Sequence, residues 1–177
     1  MKITNLFLII LLTLLINFPA SSETWTISEG LSVTPSENLD VTYQLVDGFG
    51  KGSEVVVGWS GEETNYLMEV YKAKAVVNSE EVRRLMAEEL RKQYNLTSLV
   101  INNGEYGVFE TDTSLTVEYW TDIWFINDKQ ETQLYYLLHT QNVSFLFSVF
   151  PAGDACIDEI IESSTKLLKT AKTFEKS

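Results

Sequence analysis

The chain has 177 residues, with 13 Lys and Arg against 25 Asp and Glu, one His and one Cys. A formal charge of −12 repels nucleic acid and anionic lipid heads. A lone cysteine excludes a disulfide framework, and with a lone histidine it excludes an ordinary structural zinc site, so an apolar core must hold the fold.

Met1-Lys2 is followed by an apolar run from Ile3 to Phe18 and by small residues at Ala20 and Ser22. A short basic start, an apolar stretch and small residues at a cleavage point predict a secretory signal peptide over residues 1–22. The run is shorter than the roughly 20 residues that span a bilayer, and no later stretch is long enough to do so. Cleavage removes Lys2 and leaves 155 residues, 12 of them basic and 25 acidic. That length suits one domain, residues 23–177, located in the periplasm or the medium.

Trp25–Ser28 and Leu31–Val33 read as short strands around Glu29-Gly30, and Val41–Val46 and Glu54–Trp59 as longer ones. Between the latter, Asp47-Gly48-Phe49-Gly50-Lys51-Gly52 has the glycines of a phosphate loop but neither its spacing nor a following helix, so it reads as a turn. Tyr66–Val77 is strand-like along its whole length, with Tyr66, Met68 and Val70 on one face. Asn78-Ser79-Glu80-Glu81 then gives an Asn cap with Glu three residues on, and Val82, Leu85, Met86 and Leu90 form a helical stripe. Glu80, Glu81, Glu88 and Glu89 are its solvated face. Ser98–Asn102, a turn at Asn103-Gly104 and Tyr106–Glu110 predict a small hairpin. Glu110-Thr111-Asp112-Thr113-Ser114 lacks the length and glycine of a calcium loop.

Thr116–Ile126, Leu134–His139 and Val143–Phe150 are rich in β-branched and aromatic residues and predict three antiparallel strands, reversing at Asn127–Gln130 and at Gln141-Asn142. Both faces of these strands are apolar, so something covers each of them. After Pro151-Ala152-Gly153-Asp154, the residues Ile157, Ile160, Ile161, Ser164, Leu167, Leu168 and Ala171 fall on one helical stripe, with Asp154 as its cap. The fold class expected is α+β, an antiparallel sheet of about six to seven strands between helices.

Trp120 and Trp124 share one strand face with Glu118 and Asp122. These four are the candidate binding residues, for a protein segment or an apolar ligand. The same pair of tryptophans fits equally a core beneath a helix, and the need of two helices to cover something favours the core. The runner-up is a hydrolase using carboxylates or a Cys156–His139 pair, although Cys156 also reads as a partly buried filler of the last helix. A cleft joining His139 to Cys156 or to paired acids would favour the enzyme; a buried His139 with exposed tryptophans would favour binding. No cofactor is expected. Asn95-Leu96-Thr97 and Asn142-Val143-Ser144 satisfy the N-glycosylation pattern.

The order of elements, with Asn103-Gly104-Glu105-Tyr106-Gly107, the long strands to Phe150 and a helix from Asp154 to Phe174, resembles the PsbP-like group, named for the extrinsic oxygen-evolving subunit of photosystem II. The resemblance spans roughly residues 36–174 and is one of pattern. It implies an antiparallel sheet sandwiched by helices, and a role as an extrinsic subunit, an exported binding protein or a chaperone-like adaptor rather than an enzyme.

Overall fold

The computed structural model describes residues 24–28, 30–35, 40–44, 53–60, 64–73, 75–93, 100–126, 129–152 and 156–174. The expected signal peptide, the glycine-rich loop at 47–52, Asn95, the turn residues 127–128 and the expected cap Asp154 lie outside them.

The strands are β1 (Trp25–Ser28), β2 (Leu31–Val33), β3 (Asp40–Gln44), β4 (Ser53–Ser60), β5 (Thr64–Lys72), β6 (Val100–Glu110), β7 (Thr116–Ile126), β8 (Lys129–His139), β9 (Ser144–Ala152) and β10 (Lys172–Thr173); the helices are α1 (Ser79–Gln93) and α2 (Ile157–Lys169). Seven strands form one antiparallel sheet in the order β3-β4-β5-β9-β8-β7-β6, and β1-β2-β10 form a second, three-stranded sheet. The fold is α+β, as the sequence pattern predicts.

Period-two alternation sorts the sheet into two apolar faces. On the first, Tyr66, Met68, Val70, Val117, Leu134, Tyr136, Leu138, Phe145, Phe147 and Val149 pack with Ile160, Leu167 and Leu168 of α2 and with Leu31 and Val33 of β2. Helix and small sheet therefore close the same side. Tyr136 Oη fixes the helix through Ser164 Oγ at 2.6 Å, and burial pushes the Tyr136 hydroxyl up to about 12, against the hydrogen bonds from Ser164 and Thr165. On the second face, Trp120, Trp124, Tyr135 and Leu137 pack with Val82 of α1, flanked by Val77, Met86, Ile101 and Leu146.

Four local expectations are corrected. Residues 100–110 form one strand instead of a hairpin: Asn103-Gly104 sits at a bulge between Asn103 and Tyr106, where Glu105 N–H donates to Thr121 Oγ1 at 2.8 Å. A Cβ on Gly104 would strike that Thr121 hydroxyl, so the glycine serves a close approach to β7. The last helix stops at Lys169 rather than Phe174, because Thr170 Oγ1 turns back on Leu167 O (2.7 Å) and residues 172–173 pair with β2. Leu85 of the predicted α1 stripe is exposed, and Ala87 is buried in that helix. Cys156 is the N-cap residue of α2 and is exposed.

Candidate functional site

Helix α1 begins as its sequence predicts, with Asn78 Oδ1 accepting Glu81 N–H at 2.8 Å. Its descent onto the sheet decides the fate of the aromatic face. Trp120 is 0% and Trp124 3% exposed. Trp120 stacks on Tyr135 with ring centroids 5.4 Å apart, lies under the Arg83 guanidinium at 5.3 Å, and donates from Nε1 to Asp122 Oδ2 at 3.1 Å. Asp122, itself 1% exposed, faces Arg83 Nη2 at 3.3 Å. Burial pushes the Asp122 carboxyl up, and Arg83 and the Trp120 hydrogen bond pull against that rise. The four candidate residues are thus brought onto one face, where α1 closes over Trp120, Trp124 and Asp122, the arrangement of a core beneath a helix that the sequence favours over an open groove.

Glu118 is the member of the four that keeps solvent contact, its side chain 21% exposed. It gathers a polar cluster at the foot of α1. His139 Nε2 lies 2.9 Å from Glu118 Oε1, Tyr106 Oη donates to Glu118 Oε2 at 3.2 Å, and Ser79 adds a further hydrogen bond. Partial burial is the largest single influence on the Glu118 carboxyl and pushes it up, yet Ser79, His139 and Tyr106 together hold it below the ordinary glutamate range. A carboxylate only accepts, so Nε2 carries the proton toward Glu118. In the neutral ring Nδ1 then accepts from Ser144 Oγ, 3.2 Å away.

This chain of Ser144, His139 and Glu118 has the polarity of a hydrolase relay. Its geometry serves another end. Ser144 is 0% exposed, and its Oγ accepts Val77 N–H at 3.2 Å. Its backbone is bonded to both neighbours on the β5–α1 connection, receiving Ala73 N–H at 2.8 Å and donating to Ala75 O at 3.3 Å. The relay fastens the entry to α1, and its hydroxyl is sealed from any substrate.

Cys156 takes no part. His139 is paired with Ser144 at the start of β9, whereas Cys156 follows the far end of that strand. Eight strand steps separate those ends by roughly 26 Å, and the four residues after Ala152 retrace at most roughly 14 Å. The half-buried His139 with buried tryptophans matches neither of the two arrangements contrasted above. Arg83, Ser144 and Tyr106 are the participants that sequence reading missed; the register His139↔Ser144 across the predicted turn at Gln141-Asn142 was the one available signal.

Beyond the edge of α1 the same face continues uncovered. Tyr106 and Val108 of β6, opposite Trp120 and Glu118 in register, are 56% and 54% exposed. β6 is the last strand of its sheet.

A sheet of this topology with helices on both faces defines an α+β sandwich. No protein-family model matches the sequence, and no curated protein matches it. Among solved structures, the chain is similar to cyanobacterial PsbP (CyanoP) from Synechocystis sp. PCC 6803, with 10% identity and a TM-score of 0.55 over 90% of this chain and 95% of that one. A chain from Bacteroides thetaiotaomicron is similar at 13% identity and a TM-score of 0.48, over 88% of this chain and 50% of that one. The fold is therefore PsbP-like, in agreement with the resemblance seen in the order of elements.

Proposed function

We propose that the mature chain, residues 23–177, is an exported accessory protein that acts in the periplasm or the medium by binding a protein segment rather than by catalysis. The observation that supports this reading is the uncovered strip at β6. Tyr106 and Val108 stand exposed beside Glu118, at the boundary of a face whose remaining aromatics are shut beneath α1. Exposed apolar side chains at a polar rim are the composition of a contact surface. Recognition is thus centred one strand outward from Trp120 and Trp124, with Glu118 common to both placements. Trp120, Trp124 and Asp122 act by holding α1 and setting the shape of the rim.

A photo-crosslinking amino acid in place of Val108 tests this in cells that naturally produce the protein, with the same group at exposed Glu162 of α2 as control. A discrete adduct from position 108 alone is expected. No adduct, or the same adducts from both positions, would overturn the reading.

A further inference from the structure

β6 ends the seven-stranded sheet, so one row of its backbone N–H and C=O groups has no strand partner among the described residues. Such an edge is a template for another strand, and proteins blunt it with Lys, Pro, short length or a bulge. β6 is 11 residues long and carries no Lys, Arg or Pro. Its bulge between Asn103 and Tyr106 interrupts the first half and leaves Tyr106–Glu110 in unbroken register with β7. Along that stretch Tyr106 and Val108 project from one face, more than half exposed.

The charged side chains of the edge strand itself are all acidic, and Arg83 of α1, the cation near Tyr106, already faces Asp122. Glu105, Glu110 and Asp112 are exposed, and Glu118 lies on the adjacent strand. A second copy of β6 would crowd Glu105, Glu110 and Asp112 of both copies along one seam, on a chain already strongly acidic, which disfavours self-pairing. An extended segment alternating basic and apolar residues meets both features: its backbone completes the ladder, its apolar side chains cover Tyr106 and Val108, and its cations, on the opposite face, lie beside Glu105, whose carboxylate accepts from Tyr119 Oη at 3.5 Å on that side.

We infer that the Tyr106–Glu110 edge takes up a basic, extended peptide segment as an added strand. This rests on the proposed binding function and specifies its partner and mode. Roughly two or three residues of the stretch direct their paired groups outward, so side chains must contribute and binding weakens as salt rises.

The probe is a fluorescent eight-residue peptide alternating lysine with valine and tyrosine, followed by anisotropy with the mature protein. Its companions are a twin with glutamate for lysine and two versions N-methylated at alternate amides, along one strand edge or the other. Saturable binding is expected for the lysine peptide and absent for the glutamate twin. At least one methylated version should lose tenfold or more in affinity, and Glu105→Lys with Glu110→Lys should cost at least fivefold, with circular dichroism confirming the fold. Undiminished binding of both methylated versions would overturn strand addition. Unchanged affinity in the charge-reversed variant would overturn the basic partner, and dimerisation abolished by Val108→Lys would assign the edge to a second copy. Absence of peptide binding alongside a specific crosslink at position 108 would sink this inference and leave the binding function standing.

Discussion

Trp120 and Tyr106 face the same side of adjacent strands in direct register, yet they do opposite jobs. Trp120 is fully enclosed, so truncation removes its ring from contact with Tyr135 and Arg83 and leaves a cavity. Trp120→Ala is expected to cost about 3–5 kcal/mol, read by urea unfolding, whereas Tyr106→Ala should stay within about 0.5 kcal/mol of the parent. An equal, small loss for both would contradict the placement of α1 over Trp120. Glu118 supplies a second prediction. Its carboxyl is held below the ordinary glutamate range, so the folded state binds its proton less readily than the unfolded chain does. The resulting stability is present above the ordinary glutamate value of 4.5 and lost as pH falls through the folded-state value. Glu118→Gln should therefore lower stability by about 0.5–1 kcal/mol near pH 6, the scale of a partly exposed hydrogen bond, and the gap should close at lower pH. A gap that widens on acidification would refute the cluster. Period-two alternation made the shared face of Trp120, Trp124, Glu118 and Asp122 legible. What covers that face was not, because Arg83 and Ser79 come from a helix whose docking site no local pattern encodes.

At the scale of elements, β6 shows how a short-range signal can be outweighed. Asn103-Gly104 carries turn chemistry, but β7 offers a continuous partner and Thr121 bonds the Glu105 amide, so the dipeptide is absorbed as a bulge. Gly104→Ala is expected to cost about 1–3 kcal/mol, because its Cβ meets the Thr121 side chain in a site with no spare room. Thermal denaturation checks this, and an unchanged midpoint would argue for a true turn. The C-terminal segment behaves alike. Its apolar stripe continues to Ala171, but Asp112 N–H bonds Lys169 O at 2.7 Å, Phe174 N–H bonds Gly30 O at 3.1 Å, and strand pairing with β2 replaces the last helical turn. Both cases turn on partners more than 15 residues away in sequence. The start of α1 and the turn between β8 and β9 were legible because their hydrogen bonds are local: Asn78 caps α1, and Thr140 Oγ1 donates to Val143 O at 2.7 Å in the turn that exposes Asn142.

The whole molecule is a two-sided sandwich whose faces differ in kind. One is sealed by α2 and the three-stranded sheet, the other by α1, which covers Trp120 and Trp124 and leaves Tyr106 and Val108 in the open. Export belongs to this scale. If residues 1–22 form a cleaved signal, mass spectrometry of the protein recovered from its natural host should find a chain beginning at Glu23; a chain retaining Met1 or Lys2 would refute export by that route. The α+β class, the apolarity of both sheet faces, the helix at Asn78 and the absence of a disulfide framework follow from the sequence alone, because each rests on composition or on a period of a few residues. The burial of the tryptophans, the Ser144–His139–Glu118 fastening, the separation of Cys156 from His139 and the open edge at β6 were decided by tertiary structure. Each depends on strand order and on which helix lands on which face, and those are settled by the packing of distant segments against one another rather than by any local pattern.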